Sequence, residues 1–250
     1  AARKAGVVLR FEFGALVERI CRQLGAEVVV SPPSRPATTA AGRQRLAAET
    51  CLPTKVFCGH AVELAPQVDY VAVVAVRSLQ RSVYHCARFS GLPDLVRAVV
   101  PEASGILAID LDLSKNGRPL QEGLEAAFAV LSRDKRALRV AVASALDEWE
   151  SGRVGEREHG SMGAWENGRA WEEVSGADGA GVLVPSTPSR CALAPAGLTL
   201  GLLGHPYVLQ DEELNCRLFR HLRRLGIGWV SSLEIGASAR EEGFLLLGQT

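Results

Sequence analysis

One pattern is written twice in this chain, and it limits the fold more than any other feature. An apolar run at Gly6-Val7-Val8-Leu9 is followed by Leu16, Val17, Ile20, Cys21 and Leu24 at helical spacing, then by Gly25 and the β-branched run Ala26 to Val30. The same order returns with Leu198 to Leu203, then Leu214, Leu218, Leu222 and Leu225, then Gly226 and Ile227 to Val230. Strand, helix, glycine stop and strand is the unit of a parallel sheet, because parallel neighbours need a crossover and the crossover is usually a helix. Between the two copies, Pro53 to Leu64 and Leu92 to Val100 read as helices, and Val68 to Val76 and Ile106 to Leu111 as strands. The expected class is α/β: a doubly wound parallel sheet in a first lobe, and a second, related lobe that is incomplete.

The rest of the chain divides around this frame. Leu120 to Trp149 reads as two helices broken near Ser132-Arg133-Asp134, with Ser132 or Asp134 as the cap of the second. Ser34 to Gly42 reads as loop, and Arg43 to Glu49 as a short helix running into a cysteine motif. From Ser151 to Ala196, glycine, charge and small polar residues replace periodicity, although Trp165 and Trp171 indicate some packing. The expected organisation is a first α/β lobe over 1–150, a linker or poorly ordered insertion over 151–196, and the start of a second lobe over 197–250. In that second lobe Gly204-His205-Pro206-Tyr207 reads as a tight loop before a helix whose first turn carries Asp211, Glu212 and Glu213. Acids at that position suit the helix dipole but repel a phosphate.

Composition removes several function classes. Lysine plus arginine equals aspartate plus glutamate at 28 each, and the pI is about 7.2, so nothing in the charge balance selects nucleic acid or an anionic membrane. No apolar run approaches the roughly 20 residues of a membrane span, and the N-terminus lacks the order of a secretion signal, so the expected location is cytoplasmic. The absence of an initial methionine and the apolar run Gly243 to Gly248 fit a piece of a longer protein. Neither a Gly-x-x-x-x-Gly-Lys-Ser/Thr loop, a Gly-x-Gly-x-x-Gly turn nor a Gly-x-Ser-x-Gly elbow occurs.

Six cysteines, at 21, 51, 58, 86, 191 and 216, are too scattered for a secreted disulfide framework. Cys21 and Cys216 fall in helical patterns and read as small core residues. Cys58 lies about 10 Å along a helix from Cys51 and reads as packing. Cys191 carries no spacing signal. Cys51 precedes Pro53, a residue favoured in the first turn of a helix, so its thiol is expected at a helix N-terminus, where a thiolate is favoured. Cys86, in Tyr84-His85-Cys86, follows a buried strand and precedes Gly91-Leu92-Pro93. Both thiols are then expected at the carboxyl edge of the sheet, where α/β folds place their ligands. Two thiols suit soft-metal ligation but leave a site incomplete. A zinc site using Cys51, Cys86 and His85 or His60 stays open, as does plain burial. Lys55 and His60 flank the helix that Cys51 starts and are the candidate cofactor-binding residues. Lys55 either is solvated or holds an anionic group, and His60 either is packed neutral or is a ligand.

Taken together, several segments resemble the acyl-CoA dehydratase activase-related proteins. They are Val29-Val30-Ser31-Pro32-Pro33, Glu49-Thr50-Cys51-Leu52-Pro53-Thr54-Lys55 with Gly59-His60, Val68-Asp69-Tyr70, Cys86 with Gly91-Leu92-Pro93-Asp94-Leu95, and Gly204-His205-Pro206-Tyr207 with Asp211 and Asn215. That group is similar in layout to the iron–sulfur subunits of 2-hydroxyacyl-CoA dehydratases and benzoyl-CoA reductases, and to double-cubane cluster proteins. The resemblance implies two flavodoxin-like (Rossmann-like) lobes with a cysteine-bound 4Fe-4S or double-cubane cluster. It also implies an ATP-hydrolysing activase as partner and an acyl-CoA as substrate, and is compatible with a dimer. By position, Cys51 and Cys86 match the cluster cysteines. A third is expected beyond Thr250, and the opening Pro-Arg-Ala-Leu of the group is replaced by Val8-Leu9-Arg10-Phe11. The expected function is an iron–sulfur electron-transfer component. The alternative is a metal-free α/β interaction module that docks an activase.

Overall fold

The computed structural model describes residues 2–8, 11, 13–78, 84–112, 120–159 and 198–231, without the side chains of Trp149's successors 150–159 or of Thr199 and Pro206. Leu9, Arg10, Trp165, Trp171, Cys191, the segment 160–197 and the apolar run 243–248 therefore lie outside the described residues. The chain forms two compact units, one of residues 1–147 and 206–216 and the other of 148–205 and 217–250.

The first unit is built on four parallel strands, β1 (Lys4–Val7), β2 (Glu27–Val30), β3 (Tyr70–Ser78) and β4 (Ile106–Asp112), in the order β2-β1-β3-β4. The strand order reverses direction between β1 and β3. The expected α/β class with a parallel, Rossmann-like sheet is what the chain adopts. Helices α1 (Gly14–Gln23), α3 (Leu52–Leu64) and α5 (Leu92–Val99) make the crossovers, and the right-handed rule puts α1 on one face and α3 with α5 on the other. Accordingly Val56, Phe57, Ala61 and Leu64 of α3 share a core with Val71 and Val73 of β3 and Val96 of α5. Strand β3 is buried over most of its length, as a central strand covered on both faces must be. Gly25 ends the α1 turn at φ +75, and Gly226 has the same role at φ +65 in the second unit. Both positions lie in the left-handed region that favours glycine.

Between β2 and α3 the structure departs from expectation. Residues 34–42, read as loop, instead contain most of helix α2 (Pro36–Arg45), which stops before the expected Arg43 to Glu49 helix is complete. Its buried side is Thr38 and Gly42 rather than an apolar stripe, so hydrophobic periodicity had nothing to detect. The reason is the closeness of α2 to α3. A β-carbon on Gly42 would come within 1.8 Å of the Lys55 carbonyl oxygen, and one on Gly59 within 1.9 Å of that of Thr38. Thr38 Oγ1 also donates to Glu63 Oε1 at 2.8 Å, fixing the two helices in register.

The helix α4 (Ala87–Ser90) precedes α5, and α6 (Leu120–Phe128) and α7 (Lys135–His159) follow β4. The break between α6 and α7 falls where expected. Asp134 caps α7, its Oδ1 accepting from the Arg136 and Ala137 amides at 2.8 and 3.2 Å.

In the second unit, β5 (Thr199–Leu202) and β6 (Gly228–Ser231) pair in parallel and α9 (Leu218–Arg224) connects them, with Phe219 against Trp229 at 5.5 Å. The expected single helix over the Leu214 to Leu225 stripe is not formed. Pro206–Leu209 is a short helix α8, turns follow, and Cys216 and Arg217 have φ of +53 and +58, which no helix permits. Cys216 is exposed rather than a core residue, because the helical spacing that seemed to place it inward is broken there. Among the described residues no helix is long and apolar enough to cross a membrane.

Candidate functional site

Cys51 is the N-cap of α3, with extended backbone at φ −61 and ψ 149, and Pro53 follows in the first turn. Cys86 is the N-cap of α4, in the connection after β3. Both thiols are exposed. The segment carrying Cys51 feeds the crossover into β3, and Cys86 lies on the connection leaving β3. Both therefore belong to the carboxyl side of the sheet, next to the β1/β3 reversal where open α/β sheets hold ligands.

Their helices meet through rings. Phe57 of α3 packs edge-on against Phe11, at 5.1 Å and 86°, and Phe11 stacks on Tyr207, at 5.5 Å and 8°. Tyr207 in turn lies 5.6 Å from Phe89 of α4. These rings, with Val7, Val8, Val74 and Val76, line an apolar pocket at the ends of β1 and β3. No charged side chain belongs to this lining.

Behind Cys51, the side chain of buried Thr54 reaches its sulfur, Oγ1 to Sγ being 3.0 Å. A hydroxyl so placed can donate to a thiolate. Its i, i+3 spacing from the cap is the one used in capping boxes, and that spacing is the signal by which Thr54 was findable. Lys55 is 7% exposed, and its ammonium donates to the Ala48 carbonyl at 2.8 Å. It is not a solvated surface lysine.

His60 is 2% exposed and faces Ser34, with Nε2 2.8 Å from Oγ. The Ser34 hydroxyl donates to Asp211 Oδ2 at 2.5 Å, and Asp211 is 1% exposed. A hydroxyl has one proton, so Ser34 accepts from His60 and the imidazole carries hydrogen on Nε2. This is the reverse of an activated serine, whose proton goes to the imidazole, and the trio is not a hydrolase triad. Glu63 Oε2 lies 3.9 Å from the other ring nitrogen. Neither the place of Ser34 nor its hydrogen bond to Asp211 was legible beforehand, since 26 and 177 positions separate Ser34 from its partners.

The remaining described cysteines do different work. Cys21 and Cys58 are buried, and burial pushes each thiol up to about 12 from 9.0, the nearby Glu18 carboxylate adding to the effect at Cys21. They pack, as expected. Iodoacetamide at mildly alkaline pH should modify Cys51, Cys86 and Cys216 in the folded chain and leave Cys21 and Cys58 intact, read site by site by peptide mass spectrometry. Cys58 reacting as fast as Cys51 would mean that the α3 core is not closed.

A zinc or iron–sulfur centre takes three or four protein ligands. Among the described residues no group of three or more His, Cys, Asp and Glu side chains is placed to hold a metal. Cys51 and Cys86 are therefore an incomplete donor set, and the imidazole of His60 is engaged with Ser34. No curated protein and no solved structure matches the chain. A family model does, over residues 7–233, and its span takes in both cysteine caps, the ring cluster and the Ser34, His60 and Asp211 contacts. The chain belongs to the family described as "CoA enzyme activase uncharacterised domain".

Proposed function

We propose that this chain is an iron–sulfur electron-transfer component of a CoA-enzyme system, related to the 2-hydroxyacyl-CoA dehydratases. Cys51 and Cys86 supply two thiolates, and the other ligands come from outside the described residues or from a second protein. The observation that supports this reading is the pair of exposed thiols capping helices that flank β3 and join one ring cluster. A bound cluster, of the 4Fe-4S or double-cubane type, supplies one-electron chemistry. This chain's own residues do the rest. The Thr54 hydroxyl faces Sγ of Cys51, and Lys55 puts a cation in the first turns of α3. His60 holds Ser34 behind them. The partners in this reading are an ATP-hydrolysing activase and an acyl-CoA thioester, in a reducing cytoplasm.

The test is anaerobic purification with iron and acid-labile sulfide measured per chain, beside Cys51→Ala and Cys86→Ala. Both variants are expected to lose most of the iron, the sulfide and the visible absorbance. Equal metal content in all three proteins overturns the assignment of these ligands. The second reading is a metal-free module that docks an activase. Negligible iron in wild type and variants alike would select it.

A further inference from the structure

We propose that one rim of the second unit, where α9 ends and β5 begins, docks an acidic protein surface. Arg223 and Arg224 pair with its carboxylates, and Leu225 and Leu198 enter its apolar centre. The inference is independent of any metal centre and starts from charge. The chain as a whole balances 28 cationic against 28 acidic residues, yet residues 198–205 and 217–231, all of the second unit, hold four arginines and no aspartate or glutamate. A basic module inside a neutral chain sets up a local field that the net charge conceals.

The backbone gathers the patch. At the end of α9 the Gly226 amide donates to the Arg223 carbonyl at 3.1 Å and the Ile227 amide to that of Leu222 at 3.0 Å, which turns the chain into β6. The Gly228 amide then donates to the Leu198 carbonyl at 3.1 Å, so the residue that leads into β5 lies beside the chain leaving α9. At this rim Leu225 is 70% and Leu198 50% exposed, and Arg223 and Arg224 are exposed as well. Among the described residues neither of these two arginines forms an ion pair. Arg217 and Arg220 have further interactions, and the patch does not need them. Cations in the last turn suit the helix dipole, but that role leaves two bare leucines beside them unexplained. Apolar surface rimmed by charge is the composition of an interaction site.

Chemistry selects the occupant. A guanidinium matches a carboxylate through two parallel hydrogen bonds, and arginine is enriched where proteins meet. A second copy joined to this rim by a two-fold axis would set arginine against arginine. An anionic membrane would add about 1 kcal/mol for each arginine, a marginal hold.

The test titrates the full chain into a fluorescein-labelled peptide of glutamate and leucine, beside a lysine and leucine peptide, with anisotropy as the readout. Wild type should bind the acidic peptide in a salt-sensitive way and ignore the basic one. Arg223→Glu with Arg224→Glu should weaken acidic-peptide binding at least about tenfold and create binding of the basic peptide. Leu225→Ala should weaken it at least about fivefold, as loss of a buried leucine side chain requires. All of these changes are at exposed positions, so the thermal midpoint should stay within about 2 °C of wild type. Equal binding of both peptides by wild type, or unchanged acidic-peptide binding after the charge reversal, overturns the proposal. So does tighter binding to phosphatidylserine-containing vesicles than to the peptide, which assigns the rim to a membrane. A dimer of wild type that the charge reversal dissolves would assign it to a second copy instead.

Discussion

Alanine at position 59 is expected to destabilise the first unit by at least about 3 kcal/mol, the upper end for overpacking a close-packed contact. The added β-carbon would stand 1.9 Å from the Thr38 carbonyl oxygen, where no side-chain rotation relieves it because the obstacle is backbone. Gly42→Ala repeats the collision from the other side, at 1.8 Å from the carbonyl oxygen of Lys55. Helices α2 and α3 must then part, which draws Thr38 from Glu63 and shifts the helix that carries Cys51, Lys55 and His60. Thermal unfolding followed by circular dichroism should show a midpoint lower by roughly 6–12 °C for either variant. A drop of less than about 2 °C would mean that the helices slide apart freely, and that the small residues are incidental.

Alkaline pH should bring the second large loss, through the core thiols. Burial raises Cys21 and Cys58 to about 12 from 9.0, so in the folded chain both stay protonated where an unfolded chain has released those protons. The sign follows from proton binding. Above pH 9 the native state holds more protons than the unfolded state, and stability falls with rising pH. The contribution is whole below the unfolded value and disappears as pH climbs through the folded one. Each thiol accounts for a slope of about 1.4 kcal/mol per pH unit in that window. Urea unfolding from neutral to strongly alkaline pH, compared with Cys21→Ala and Cys58→Ala, isolates the two thiols from tyrosine and lysine titration. Parallel slopes in wild type and variants would contradict the assignment of those protons.

Legibility followed the physical kind of each contact. Helix α3 was readable because Pro53 marks its first turn and apolar residues continue from it. The glycine stops at 25 and 226 were readable because left-handed turns demand them. Helix α2 was not, since the residues it buries are Thr38 and Gly42, chosen for a narrow gap that exists only once α3 is present. The stripe from Leu214 to Leu225 misled for a related reason. Its leucines keep helical spacing, but Leu214 packs in the first unit while Leu222 is buried in the second, and the left-handed residues Cys216 and Arg217 separate them. Of the candidate residues, the helix-capping place of Cys51 was visible in the chain; the short helix that Cys86 caps and the buried settings of Lys55 and His60 were not.

By itself the amino-acid order determined the parallel sheet, the crossover helices and Cys51 at the start of one of them, because all of these rest on local periodicity and backbone preference. Tertiary structure alone decided that Ser34 receives from His60 and gives to Asp211, that rings from four segments gather at the ends of β1 and β3, and that 206–216 belongs with the first unit. Those are contacts between remote segments, whose energies appear only when the sheet has brought their partners within a few ångströms of one another.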